Sequence, residues 1–230
     1  MSEAIPLPPE LTGRLGFVHR LPVAAPLPPG RHDLGLFDTR DAVLVVPEGL
    51  VPGRPVPLVV LFHGGGGSAT RILPMLEAHA QAERFLLLVP QSLLPTWDLV
   101  IGGHGPDRER VSEALAAVQA RFPLDPTRFV FAGHSDGGSY ALSLGLANGD
   151  AVTHIIASSA GFLSVHAQVG APRIFVSHGT RDEQIPIARS ARPHVAQLRA
   201  AGYAVTSVEY DGPHAHQPEI VAQAVAFAMG

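Results

Sequence analysis

The sequence predicts an α/β architecture, a mostly parallel twisted sheet with helices on both faces, and two observations predict it. Strand-length apolar runs without polar alternation recur along the chain, among them LVVLF (58–62), FLLLV (85–89) and RFVFA (128–132). Such runs suit strands that are covered on both faces. Between them lie longer helix-forming stretches, so strand and helix alternate, as successive parallel strands require.

Residues 1–30 come first and are rich in proline (Pro6, Pro8, Pro9, Pro22, Pro26, Pro28, Pro29). They read as an extended arm, because proline fixes its own backbone angle and brings no N–H to a ladder. Residues 31–230 then read as one domain. Strands are expected at 42–46, 58–62, 85–89, 128–132, 154–157, 173–177 and 204–209. Helices are expected near 69–83, 107–121, 138–147, 188–201 and 218–229. Pro95 and Pro106 punctuate a long loop before the second of these helices. The stretch from 148 to 182 must already supply two strands, which leaves no room for a large helical lid.

At 230 residues and 46% hydrophobic content the chain can bury a single sizeable core. A net charge of −4, with no basic run interleaved with aromatics, argues against a nucleic-acid partner. Every cation is arginine, so a P-loop lysine is excluded. There is no cysteine, and therefore no disulfide framework, thiolate nucleophile or thiolate-bound zinc. The start MSEAIPLPPE lacks the basic-then-apolar pattern of a secretory signal, and no apolar run reaches membrane-spanning length. A soluble cytoplasmic protein without a membrane partner is expected. The 12 histidines are scattered and form no H-E-x-x-H helix, so no metal or other cofactor is expected.

The most informative segment is Gly133-His134-Ser135-Asp136-Gly137, set between an apolar strand and a helix. A G-x-S-x-G elbow of this kind holds a serine hydroxyl at the tip of a sheet on a strained turn, with glycines where side chains would collide. Serine is a poor nucleophile at neutral pH and needs an adjacent base, which an acid orients. In chain order the acid and then the histidine should follow, each after a later strand. The strand at 173–177 leads to Asp182 in HGTRDEQIP, and the strand at 204–209 leads to His214 in YDGPHAHQPE. Asp150 is the rival acid, although it follows a helix. His216 is the rival base, but Gly212-Pro213 turns the chain directly before His214.

The run His63-Gly64-Gly65-Gly66-Gly67 follows the strand at 58–62. Its bare backbone can present N–H groups to an oxyanion, with a second donor in the main-chain N–H of Asp136. His63 reads as a structural hydrogen-bonder. Gly64-x-Gly66-x-x-Ala69 also fits a dinucleotide fingerprint, but the next strand ends in Pro90-Gln91 rather than the acid that would bind ribose. Trp97, in the loop at 90–105, either lines the acyl pocket or anchors the core.

With these residues assembled, the chain resembles small α/β-hydrolases of the carboxylesterase/phospholipase type. The resemblance runs through HDLGLFDTRDAVLVVP, LFHGGGGSA, TWD, GHSDGGSYALSLGLANGD, PRIFVSHGTRDEQIP and DGPHAHQPEI. It departs from the usual pattern at His134 and at Ser158-Ser159-Ala160-Gly161-Phe162. The resemblance implies an α/β-hydrolase fold, a Ser135, Asp182 and His214 triad, and an oxyanion hole from Gly65 and Asp136. The expected activity is cleavage of small or short-acyl carboxylic esters through an acyl-enzyme. A thioesterase or lysophospholipase with the same triad, or a non-catalytic ligand-binding relative, are the alternatives.

Overall fold

The computed structural model describes residue 8 and residues 12–230. Eight strands form one sheet: β1 (Gly30–Asp33), β2 (Val43–Val46), β3 (Val56–Phe62), β4 (Leu86–Val89), β5 (Leu124–His134), β6 (His154–Ser158), β7 (Arg173–Gly179) and β8 (Val205–Tyr210). Their order is β1-β2-β4-β3-β5-β6-β7-β8. β2 runs antiparallel to both of its neighbours, and all other pairings are parallel. The expected architecture is therefore met.

The helices are α1 (Ala69–Ile72), α2 (Glu77–Glu83), α3 (Asp98–Ile101), α4 (Pro106–Gln119), α5 (Asp136–Ala147), α6 (Ala191–Ala200) and α7 (Pro218–Met229). They divide between the two faces of the sheet. Leu58, Val60 and Phe62 of β3 pack with Leu115 of α4, Leu142 of α5 and Leu198 of α6. Val59 and Leu61 point the opposite way, into a second cluster with Ala69, Ala80, Val221 and Val225 from α1, α2 and α7. A strand lined on both sides has no polar positions, which is why β3 is buried along its whole length. β8, at the sheet edge, alternates with exposed residues instead.

Three local features differ from the sequence-based expectation. The helix expected over 69–83 is three pieces: α1, a 3₁₀ turn at Leu73–Met75, and α2. Pro74 has no N–H to continue the first helix, and Arg84 closes the last with a left-handed φ of 56°. β1 was not expected at all, because GRHD is polar and mostly exposed; it exists through its antiparallel pairing with β2. α3 is a single turn inside the long loop that follows β4.

Pro6 and Pro9 of the proline-rich arm lie outside the described residues. Residues 14–29 form no helix or strand. They are held by backbone and side-chain bonds: Val23 and Ala24 N–H donate to Ala120 C=O, and Arg14 forks onto Asp150 at 2.7 and 2.6 Å. No helix among the described residues is long and apolar enough to cross a membrane.

Candidate active site

The central parallel strands deliver their functional loops to one edge, at their carboxyl ends. β5 ends at His134, and α5 begins at Asp136, so Ser135 alone makes the turn between them. Its backbone stands at φ 59°, ψ −124°, a strained conformation for a residue with a side chain. The surroundings hold it there. Ser135 N–H donates to Ser158 C=O at 2.9 Å. A Cβ on Gly133 would sit 2.1 Å from Gly137 O, and one on Gly137 would sit 2.1 Å from Phe62 O. Both glycines of the motif are thus required sterically.

β7 and β8 bring the other two groups. After β7, Asp182 folds back on its own loop: Oδ1 accepts the N–H groups of Gln184 (3.0 Å) and Ile185 (2.8 Å). After β8, the turn through Gly212 and Pro213 presents His214. The two loops are pressed together, since a Cβ on Gly179 would lie 2.3 Å from Gly212 O. Arg181 N–H donates to that same carbonyl at 3.0 Å. As a result His214 Nδ1 lies 2.6 Å from Asp182 Oδ2, and His214 Nε2 lies 2.9 Å from Ser135 Oγ. The Asp182 side chain is fully buried, and that of His214 is 9% exposed.

Burial alone would raise the Asp182 pKa. The Ile185 N–H, the His214 hydrogen bond and the positive potential of His214 and His178 outweigh it, and the carboxyl is held below its ordinary range. Asp182 is therefore an anion at neutral pH. The rival acid, Asp150, is occupied by Arg14. The rival base, His216, meets the His134 ring edge-on at 5.6 Å.

The glycine loop after β3 lies against the elbow. A Cβ on Gly64 would come within 3.3 Å of Ser135 Cβ, and one on Gly65 within 2.5 Å of Asp136 Oδ2. Gly66 N–H is spent on Pro95 C=O and Gly67 N–H on Gly64 C=O. Neither the Gly64 nor the Gly65 N–H makes such a backbone bond among the described residues. Asp136 is the first residue of α5, where a helix has no internal partner for its N–H. His63 supports the loop from beneath: its Nδ1 bonds Gly64 C=O at 2.8 Å and its Nε2 faces Ser92 N–H at 3.2 Å. Burial lowers its pKa.

Trp97 does not line a pocket. It is fully buried, donates Nε1–H to His63 C=O at 2.7 Å, and stacks on Tyr140 with centroids 4.5 Å apart. The indole finds its hydrogen-bond acceptor beneath the glycine loop, so it anchors the core there rather than forming an acyl wall. What reaches the elbow from this loop is Thr96, whose hydroxyl donates to Asp136 Oδ2 at 2.7 Å. Asp98 and Asp107 brace the loop by accepting N–H groups of Gly105, Asp107, Leu93 and Asp98. The segment between β6 and β7 contains no helix.

Sequence reading passed over His178, which stands at the end of β7 with its side chain 1% exposed. Its Nε2 lies 3.1 Å from Asp182 Oδ2 and 2.8 Å from Ile185 O. A signal was present: His63-Gly64 directly follows β3 and His178-Gly179 closes β7, and in both the buried histidine braces the loop that follows. His134, at the variable position of the elbow, packs its ring 4.9 Å from that of His214. Burial first, and then the proximity of His214 and His216, lower its pKa to about 4. Among the described residues no cluster of three or more histidines and acids is arranged to hold a metal ion.

No family model matches the sequence, and no curated protein matches it. Many solved structures match the fold. FphF, a fluorophosphonate-binding serine hydrolase of Staphylococcus aureus, superposes with a TM-score of 0.68 at 17% identity, covering 83% of this chain and 92% of its own. A phospholipase/carboxylesterase from Dyadobacter fermentans gives 0.64 at 23% identity, with 81% and 96% covered. The Bacillus cereus carboxylesterase gives 0.63 at 20%, with 83% and 94% covered. The chain has the α/β-hydrolase fold.

Proposed function

We propose that this chain is a serine hydrolase of carboxylic esters. The observation that carries the proposal is the unbroken line of short contacts from Asp182 Oδ2 through His214 to Ser135 Oγ, at 2.6 and 2.9 Å, on a strained elbow. Solved structures of the same fold that are described as esterases and carboxylesterases support it. The domain would comprise residues 31–230, with the described residues 14–29 of the proline-rich arm laid on it.

In the first half-reaction Ser135 Oγ attacks the acyl carbonyl while His214 Nε2 takes the hydroxyl proton. Asp182 holds the proton on Nδ1, so that Nε2 is free to accept, and stabilises the imidazolium that forms. The oxyanion of the tetrahedral intermediate is received by the N–H groups of Gly65 and Asp136. His214 then protonates the departing alcohol, and the ester acyl group remains on Ser135. Water, deprotonated by the same histidine, completes the cycle and frees the carboxylic acid.

Covalent labelling by a fluorophosphonate, mapped by peptide mass, tests the nucleophile directly. Modification is expected at Ser135, together with hydrolysis across a panel of p-nitrophenyl esters. An unlabelled protein inert toward the panel would favour a ligand-binding role for the same cleft.

A further inference from the structure

We propose that the apolar groove at the opposite pole of the sheet from Ser135 is a second binding site, for the carboxylate and chain of a fatty acid. It goes beyond the hydrolase reading and does not depend on it, because the groove shares no residue with the triad or the glycine loop.

The groove is open on one side and has a volume of about 830 Å³, ample for a single aliphatic chain. Three segments meet around it: residues 21–29 of the arm, residues 46–56 between β2 and β3, and residues 121–123 ahead of β5. It therefore stands at the amino ends of β3 and β5, whereas Ser135 follows the carboxyl end of β5. The seven residues of β3 hold the two ends about 20 Å apart.

The lining calls for an apolar chain. Val46, Val56 and Phe122 are buried and form its base. The walls, by contrast, are bare to water: Leu21 is 84% exposed and Val51 53% exposed. A chain laid between them takes its own methylenes and both walls out of water together. Seven of the lining residues are proline, Pro22, Pro28 and Pro52 among them, so the walls are set before a ligand arrives and little ordering is left for binding. The arm is also fastened here, by Val23 and Ala24 N–H on Ala120 C=O and by Arg121 on Ala25 C=O at 3.0 Å.

The charges call for an anionic head. Among the described residues, the charged groups that line the groove are Arg54 and Arg121, and no acid stands beside them. Elsewhere on this surface Arg14, Arg31, Arg181 and Arg192 each pair with a carboxylate. Neither groove arginine makes such a pair among the described residues. Arg121 is tied to the arm, so the exposed Arg54 is the guanidinium free to fork onto a ligand, and one free fork suits a monoanionic carboxylate. The ligand is thus a single-chain carboxylate, its head on Arg54 and its tail over Val46, Val51 and Phe122.

The test is calorimetric titration of the full chain, first treated with fluorophosphonate to fill the triad site. Decanoate is compared with decyltrimethylammonium, which carries the same chain and the opposite charge. Decanoate should saturate a single site with Kd below about 1 mM, and the ammonium should bind about tenfold more weakly or worse. Arg54→Gln should weaken decanoate about threefold or more, and Val51→Asp, which sets an acid beside the chain, about tenfold or more. Equal affinity for the two amphiphiles, decanoate binding that neither variant moves, or no saturation overturns the proposal. Photocrosslinking of the wild-type protein with a diazirine-bearing fatty acid gives an answer even if a variant does not fold. Adducts should map to residues 21–29, 46–56 or 121–123, and adducts confined elsewhere refute it. A concentration-dependent dimer that Val51→Asp abolishes would make a second copy of this chain the occupant and overturn the fatty-acid assignment. If the protein fails to label with fluorophosphonate, the hydrolase reading fails, while titration of the untreated chain and its variants still decides the groove.

Discussion

Asp182→Asn removes a charge while keeping a shape, and the surroundings of the side chain dictate how the new amide must turn. Oδ1 accepts two backbone N–H groups, from Gln184 and Ile185, so the amide oxygen has to take that place. The NH₂ then occupies the position of Oδ2, 2.6 Å from His214 Nδ1. A donor there forces Nδ1 to become an acceptor and moves the imidazole proton to Nε2, which faces Ser135 Oγ at 2.9 Å. In that tautomer the histidine cannot take the serine proton. In a serine triad elsewhere this substitution lowers kcat by about 10⁴-fold, equivalent to about 5.5 kcal/mol of transition-state stabilisation. A second cost falls on stability. His178 Nε2, 3.1 Å away, then faces an amide NH₂ where it faced a carboxylate oxygen, and the favourable electrostatics between the two are lost. The assay is kcat for p-nitrophenyl acetate, measured beside a thermal melt. The expected result is a folded, measurably less stable protein with its turnover almost abolished. Retention of activity within about tenfold of wild type would refute the tautomer argument and move the acid elsewhere.

Ser135→Ala should lower kcat by about 10⁴-fold or more with little change in melting temperature, and activity within about tenfold of wild type would exclude it as nucleophile. His214→Ala should be nearly as severe while His216→Ala keeps most turnover; the reverse ranking would transfer the base to His216. His104 has both ring nitrogens buried without partners, and burial followed by His166 and Arg108 lowers its pKa to about 4. The unfolded chain then binds a proton near the ordinary ~6.5 before the folded one does, so stability is complete above that pH and falls by on the order of 3 kcal/mol as pH drops toward about 4. His104→Leu should flatten part of this fall in melting temperature, His134 preserving the rest, and an unchanged slope would be a refutation. With no helix over the site between β6 and β7, short acyl esters should be the better substrates, each methylene beyond the cleft gaining none of the ~0.8 kcal/mol that burial supplies. An optimum at about ten carbons or more in a p-nitrophenyl ester series would show a deep pocket instead.

How much of this was legible in the sequence follows from how local each requirement is. The central strands could be read because burial on both faces leaves a contiguous apolar record, and α7 because Pro218 opens it and its apolar face repeats along one stretch. The elbow could be read for the same reason: Gly133 is needed because of Gly137, four residues away. β1 could not, since GRHD carries no strand pattern and only β2, across the turn, makes it one. Trp97 stood equally well as pocket wall or core anchor until its indole N–H was given a partner, and that partner, His63 C=O, is 34 residues back. The deeper limit shows in Gly179. Nothing near it in the chain explains why a side chain is forbidden there; the reason is the carbonyl of Gly212, on the loop that carries His214. That contact, rather than any motif, brings Asp182 within 2.6 Å of a histidine 32 residues later, and it also leaves His178 on the other side of the same carboxylate oxygen. The motifs announce which groups are available for catalysis, whereas the close approach of two unrelated loops decides how strongly they act on one another.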